Sequence, residues 1–122
     1  MILHMIKGQL KGVTVLDIKG SIHSGPDCRR LEQEIESLIC TNDNRVILDL
    51  TQVTHIDSSA IGSIVRCLTR LKNCNGLLRL AGASGMIEHS IKLTQLHKVL
   101  ELYPTAAAAA ENLPPVPPAK PQ

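Results

Sequence analysis

One stretch of the chain constrains its fold more than any other: Val46-Ile47-Leu48-Asp49-Leu50, followed by Ile56-Asp57-Ser58-Ser59-Ala60-Ile61-Gly62. The first part is apolar and β-branched, and nearly continuous, as in a central parallel strand covered by helices. Behind the Asp-Ser-Ser turn, Ile61, Ile64, Val65, Leu68 and Leu71 recur at helical spacing. A buried strand therefore runs straight into a helix, with two hydroxyls at the junction. A helix N-terminus presents unpaired N–H groups and a partial positive charge. A phosphate on either hydroxyl would be well received there.

The flanking segments repeat this alternation. Residues 2–6 and 13–18 read as two strands joined by a turn around Gly8 to Gly12. Pro26 suits the first turn of a helix. Cys28, Leu31, Ile35, Leu38 and Ile39 mark its inner face, and Asn42-Asp43-Asn44 ends it. The helix behind Ser58 stops near Gly76, which suits a left-handed cap. Residues 77–81 form another strand and residues 84–93 a short helix with Met86, Ile87, Ile91 and Leu93 inward. Val99 to Tyr103 gives a last strand, and the alanines 106–110 a last helix. The pattern predicts an α/β fold: a single mixed, mostly parallel sheet of four or five strands packed with helices, opened by an antiparallel hairpin. From Pro114 the chain is proline-rich, which predicts an extended tail over residues 113–122 behind a domain of residues 1–112.

Composition narrows function by exclusion. Tyr103 is the sole member of the Phe, Trp and Tyr set, so base-stacking platforms are unavailable. The net charge is +2 and the basic residues are scattered. Direct nucleic-acid binding is not expected. Cys28, Cys40, Cys67 and Cys74 show no Cys-x-x-Cys spacing, and the histidines show no ligand spacing, so no metal or cofactor is expected. The four thiols read as small, largely buried hydrophobes in a reducing compartment. The opening residues lack the pattern of a secretory leader and no apolar run approaches ~20 residues. Neither export nor a membrane span is expected, and the predicted location is cytoplasmic. An enzyme would need a nucleophile with its base, a metal set or a phosphate-cradling loop. The nearest candidate, Gly82-Ala83-Ser84-Gly85, lacks the lysine.

At the Asp-Ser-Ser turn the chain resembles the STAS family, the anti-sigma-factor antagonists and the related modules of sulfate transporters. Three blocks carry the resemblance: residues 46–62, Asn75-Gly76-Leu77-Leu78-Arg79-Leu80-Ala81, and Leu93-Thr94-Gln95-Leu96-His97-Lys98-Val99-Leu100. Together they span about residues 3–112. The resemblance implies a binding protein, not an enzyme. Its partner would be an anti-sigma factor that is a serine kinase, which phosphorylates the position of Ser58 and is then released. A serine phosphatase would reset the switch, and the effect on transcription would be indirect.

Ser59 is the alternative acceptor, and either serine is otherwise a plain helix cap. Asp57, Ser58, Ser59, Ala60, Gly62, Ser63 and His23 form the expected partner surface, with Arg66 and Arg70 beside it. Two positions depart from the family. Ala60 stands where glycine is usual and is expected to add a methyl to the contact surface. His23, in Gly20-Ser21-Ile22-His23, replaces the usual acid and is expected to lie beside the turn, where it can pair with a phosphate. A scaffold domain that is never phosphorylated is the alternative reading, and self-association into a homo-oligomer stays open.

Overall fold

The computed structural model describes residues 3–111 and 113, apart from the side chain of His97. Residue 2 of the expected first strand and the proline-rich tail from Pro114 lie outside the described residues. The order is β1 (His4–Leu10), β2 (Val13–Ile22), α1 (Pro26–Cys40), β3 (Arg45–Ile56), α2 (Ser58–Asn73), β4 (Leu77–Ala81), α3 (Gly85–Leu93), a 3-10 turn (Leu96–Lys98), β5 (Glu101–Tyr103) and α4 (Ala106–Ala109). The five strands lie in sequence order across one sheet. β1 pairs antiparallel with β2, and every later pairing is parallel. The mostly parallel sheet with an antiparallel entry is thus as the alternation predicted.

The hairpin is tighter than expected. β1 runs through Gly8 to Leu10, and only Lys11 (φ 52°) and Gly12 (φ 78°) make the turn. Two left-handed residues match the twist of the flanking strands. β2 and β3 also run further than their apolar cores. Beyond Asp17 and Asp49 they continue through two register shifts, from Lys19↔Gln52 to Ser21↔His55 and Ile22↔Ile56. Thr51, Gln52, Thr54 and His55 are exposed there. Backbone pairing with β2 extends the strand where apolar patterning gives no signal. The last strand is shorter than Val99–Tyr103 because residues 96–98 turn into a 3-10 helix.

The main core lies on one face of the sheet. Leu16, Ile18, Leu48 and Leu80 meet Leu31 and Ile35 of α1 and Ile64 and Leu71 of α2. The amphipathic faces read from the sequence are those that pack. α3 is the exception: Ile87 and Ile91, one turn apart, are buried, but Met86 and Leu93 are 75% and 70% exposed. Nine residues at the edge of the layer bury one narrow stripe, and these two side chains fall off it.

A smaller cluster on the opposite face joins Val13, Ile47 and Ala81 to Ala109 and Ala110. Arg79 anchors α4 onto this face. Its guanidinium, on a residue only 5% exposed, donates from Nη1 to the carbonyls of Ala109 (2.9 Å) and Glu111 (3.0 Å). It also lies over the Tyr103 ring, 5.0 Å from the centroid. Nε is 3.2 Å from Glu101 Oε2, an ion pair without hydrogen-bond alignment.

Gly76 is not the left-handed cap that the sequence suggested. Asn75 takes that conformation (φ 60°). Gly76 is needed for close approach instead: a Cβ there would lie 2.8 Å from the Leu71 carbonyl oxygen and still nearer that of Asn44. Both obstacles are backbone, so Gly76→Ala is expected to cost about 1–3 kcal/mol in urea unfolding, as overpacking does.

Candidate functional site

The candidate site forms where β2 and β3 end together. Ile22 and Ile56 are the last paired residues, so the loop leaving β2 lies against the turn into α2. The backbone N–H of Asp57 donates to the Ile22 carbonyl at 3.3 Å. Asp57 itself is extended (φ −98°, ψ 176°) and caps α2, its Oδ1 accepting from the Ala60 N–H at 2.8 Å. Its Oδ2 accepts from the Ser24 N–H at 2.9 Å. One carboxylate thus starts the helix and ties it to the neighbouring loop. That loop is further held by Asp27, whose Oδ2 accepts from the His23 N–H at 3.1 Å.

The cap is therefore Asp57, not a serine. Ser58 and Ser59 occupy the first two helical positions and are exposed. Among the described residues neither hydroxyl has a hydrogen-bond partner. His23 lies beside the turn as expected: its Nδ1 is 3.8 Å from Asp57 Oδ2, and the side chain is 55% exposed. Gly62 follows Ser58 by one helical turn and is half-buried. A Cβ there would meet only Arg66 Nη1, at an ordinary 3.7 Å. His23, Asp57, Ser58, Ser59 and Gly62 thus share one rim.

Two members of the expected partner surface point inward. Ala60 is fully buried, and its methyl joins the main core instead of adding to a contact surface. Ser63, expected among exposed residues, is also fully buried. Its hydroxyl donates to Glu32 Oε2 at 2.7 Å and lies 3.4 Å from the Cys28 carbonyl. The physical reason is α1, which packs along this side of α2. Arg66 and Arg70 are exposed but paired: Arg66 Nε is 3.3 Å from Glu32 Oε1, and Arg70 Nε 3.0 Å from Glu36 Oε1. Hydrogen bonds from Arg66 and Ser63 hold the Glu32 carboxyl below its ordinary range.

Burial alone would push the Asp57 carboxyl up. The N–H groups of Ala60, Ser24 and Ser59, with the charge of His23, outweigh this, and the net shift is downward. A carboxylate with a lowered folded-state pKa adds stability above its unfolded-state pKa. That contribution is lost as pH falls through the folded-state value. Asp57→Ala is expected to cost about 1–2 kcal/mol near neutral pH, the value of a helix cap. In urea titrations, the difference from the parent should shrink toward strongly acidic pH.

The family follows from the whole chain. The model of the STAS domain family matches residues 5–109. The chain belongs to the STAS domain family. This STAS domain is 30% identical over 70 residues to a Thermotoga maritima protein named "Putative anti-sigma factor antagonist", the match covering 57% of this chain and 62% of that protein. A Thermotoga neapolitana counterpart is 29% identical over the same length. The chain thus spans under two thirds of these curated relatives.

Among solved structures, an anti-sigma factor antagonist from Mycobacterium paratuberculosis superposes with a TM-score of 0.77 at 22% identity, covering 86% of this chain and 88% of that one. SpoIIAA, a Bacillus cell fate determinant, in its phosphorylated form gives a TM-score of 0.67 at 15% identity, covering 88% and 96%. At such identities the likeness is one of fold. It bears out the α/β architecture, and the STAS match over residues 5–109 bears out the family read from the three sequence blocks.

Proposed function

We propose that this STAS domain is a cytoplasmic anti-sigma factor antagonist. It binds an anti-sigma factor serine kinase through the rim at the start of α2 and is switched off by phosphate on Ser58. A serine phosphatase reverses the switch, and transcription responds indirectly. One observation carries the reading: Ser58 is exposed with its hydroxyl uncommitted, because Asp57 does the capping. The antagonist names of the relatives support the partner class.

Electrostatics set the mode of release. Phosphate adds about −1.5 to −2 charges. At the first position of α2 the helix dipole favours that charge, and Asp57 opposes it. The two largely offset, so the fold stays closed. The dianion acts on the partner, because it is costly to desolvate in a tight interface. A charged His23 beside Asp57 can pair with it.

Gly62 provides a test that separates folding from binding. In Gly62→Gln the new Cβ makes only an ordinary contact with Arg66 Nη1, and leaving glycine stabilises a helix interior by about 0.5–1 kcal/mol. The variant is expected to melt slightly higher yet bind the kinase at least tenfold more weakly by calorimetry (about 1.4 kcal/mol). Unchanged affinity would place the interface elsewhere.

A further inference from the structure

α1 and α2 lie side by side in a regular register. Arg66 pairs with Glu32 and Arg70 with Glu36, each across an offset of 34 positions. One more turn along both helices, at the same offset, comes to Cys40 and Cys74. Cys40 is the last residue of α1, and Cys74 is the C-cap of α2.

The segments beyond are clasped together. Asn44 Nδ2 donates to the Cys74 carbonyl at 2.9 Å, and the Leu77 N–H donates to the Asn44 carbonyl at 2.9 Å. Gly76 brings its backbone against the same Asn44 carbonyl. The loop four residues beyond Cys40 is therefore clasped to the end of α2 at Cys74. Arg70, one turn before Cys74, is hydrogen-bonded to Glu36, one turn before Cys40.

We propose that Cys40 and Cys74 are a redox pair that closes into a reversible disulfide on exposure to a peroxide. The four cysteines are free and divide into two classes. Cys28 and Cys67 are buried, and burial pushes both thiols up, Cys67 to about 12, so neither supplies a thiolate near neutral pH. Cys40 is exposed and Cys74 half-buried.

The Cys40 thiolate attacks one peroxide oxygen, which leaves a sulfenic acid and, after proton uptake, one water. The Cys74 sulfur then displaces the sulfenic oxygen. The S–S bond forms and a second water departs. Two thiols lose two electrons in all, and the peroxide gains them. The bridge joins the two helix ends and restricts the unfolded chain between them.

The test treats the folded full chain with hydrogen peroxide and maps its peptides without reduction. The expected product is a Cys40–Cys74 cross-linked peptide, lighter by about 2 Da than the two thiol peptides and restored by dithiothreitol. Its melting temperature should rise by several degrees, and neither Cys40→Ser nor Cys74→Ser should show the rise. Four free thiols after treatment, oxygen adducts on Cys40 with Cys74 still reduced, or a Cys40-linked dimer would each overturn the proposal.

Discussion

Aspartate at position 58 is expected to leave the domain folded and to weaken binding of the kinase by roughly 30-fold or more. The folding half follows from placement. Ser58 is exposed at the first position of α2, where an acidic side chain gains about 0.3–1 kcal/mol from the helix dipole. Repulsion from Asp57 offsets part of that gain, so the melting temperature should barely move. The binding half follows from desolvation: a charge left without a partner inside an interface costs about 2–5 kcal/mol. Ser58→Ala should bind as the parent does and no longer respond to ATP. Ser59→Asp is the informative companion. If it abolishes binding while Ser58→Asp does not, the acceptor has been assigned to the wrong neighbour.

The largest expected loss of stability lies far from this rim. Arg79→Ala should cost about 2–4 kcal/mol in urea unfolding and should release α4 first, as a local rise in amide exchange. Both carbonyls served by the buried guanidinium, of Ala109 and Glu111, would lose their donor. A hydrogen bond to a charged group is worth about 1.5–3 kcal/mol, and leaving its partner buried and unsatisfied adds to the loss. The Glu101 carboxylate is 51% exposed, so its ion pair contributes little of this. Arg79→Lys should recover part of the stability, since a single ammonium lacks the planar fork of the guanidinium.

Much of the architecture was legible because it rests on local signals. The 46–50 run, the stripe from Ile61 to Leu71 and the strand 77–81 carry their periodicity openly. What escaped was set by contacts between distant segments. β3 reaches Ile56 only because β2 pairs with it, and nothing in Thr51 to His55 announces that. Gly76 could be marked as special, but the reason for it sits on Asn44, across the fold. Arg79 sits inside an apolar strand pattern, and its role appears only once α4 lies over it.

The site shows the same division. The Asp-Ser-Ser turn placed the rim, and His23 was expected beside it. Helical periodicity alone could not say which side of α2 faces α1, and Ser63 turned out to be buried against α1 and Ala60 in the main core. The identity of the cap was equally hidden. Asp57, Ser58 and Ser59 are all good capping residues, and the Ser24 N–H across the loop helps to favour Asp57.

The most direct measurement incubates the full chain with its anti-sigma factor kinase and magnesium ATP and maps its peptides by mass. An antagonist of this kind should gain about 80 Da on the peptide bearing Ser58, and the modified chain should separate from the kinase with its fold intact. An unmodified Ser58 after prolonged incubation with a kinase that binds the chain would contradict the account, and leave a scaffold domain in its place.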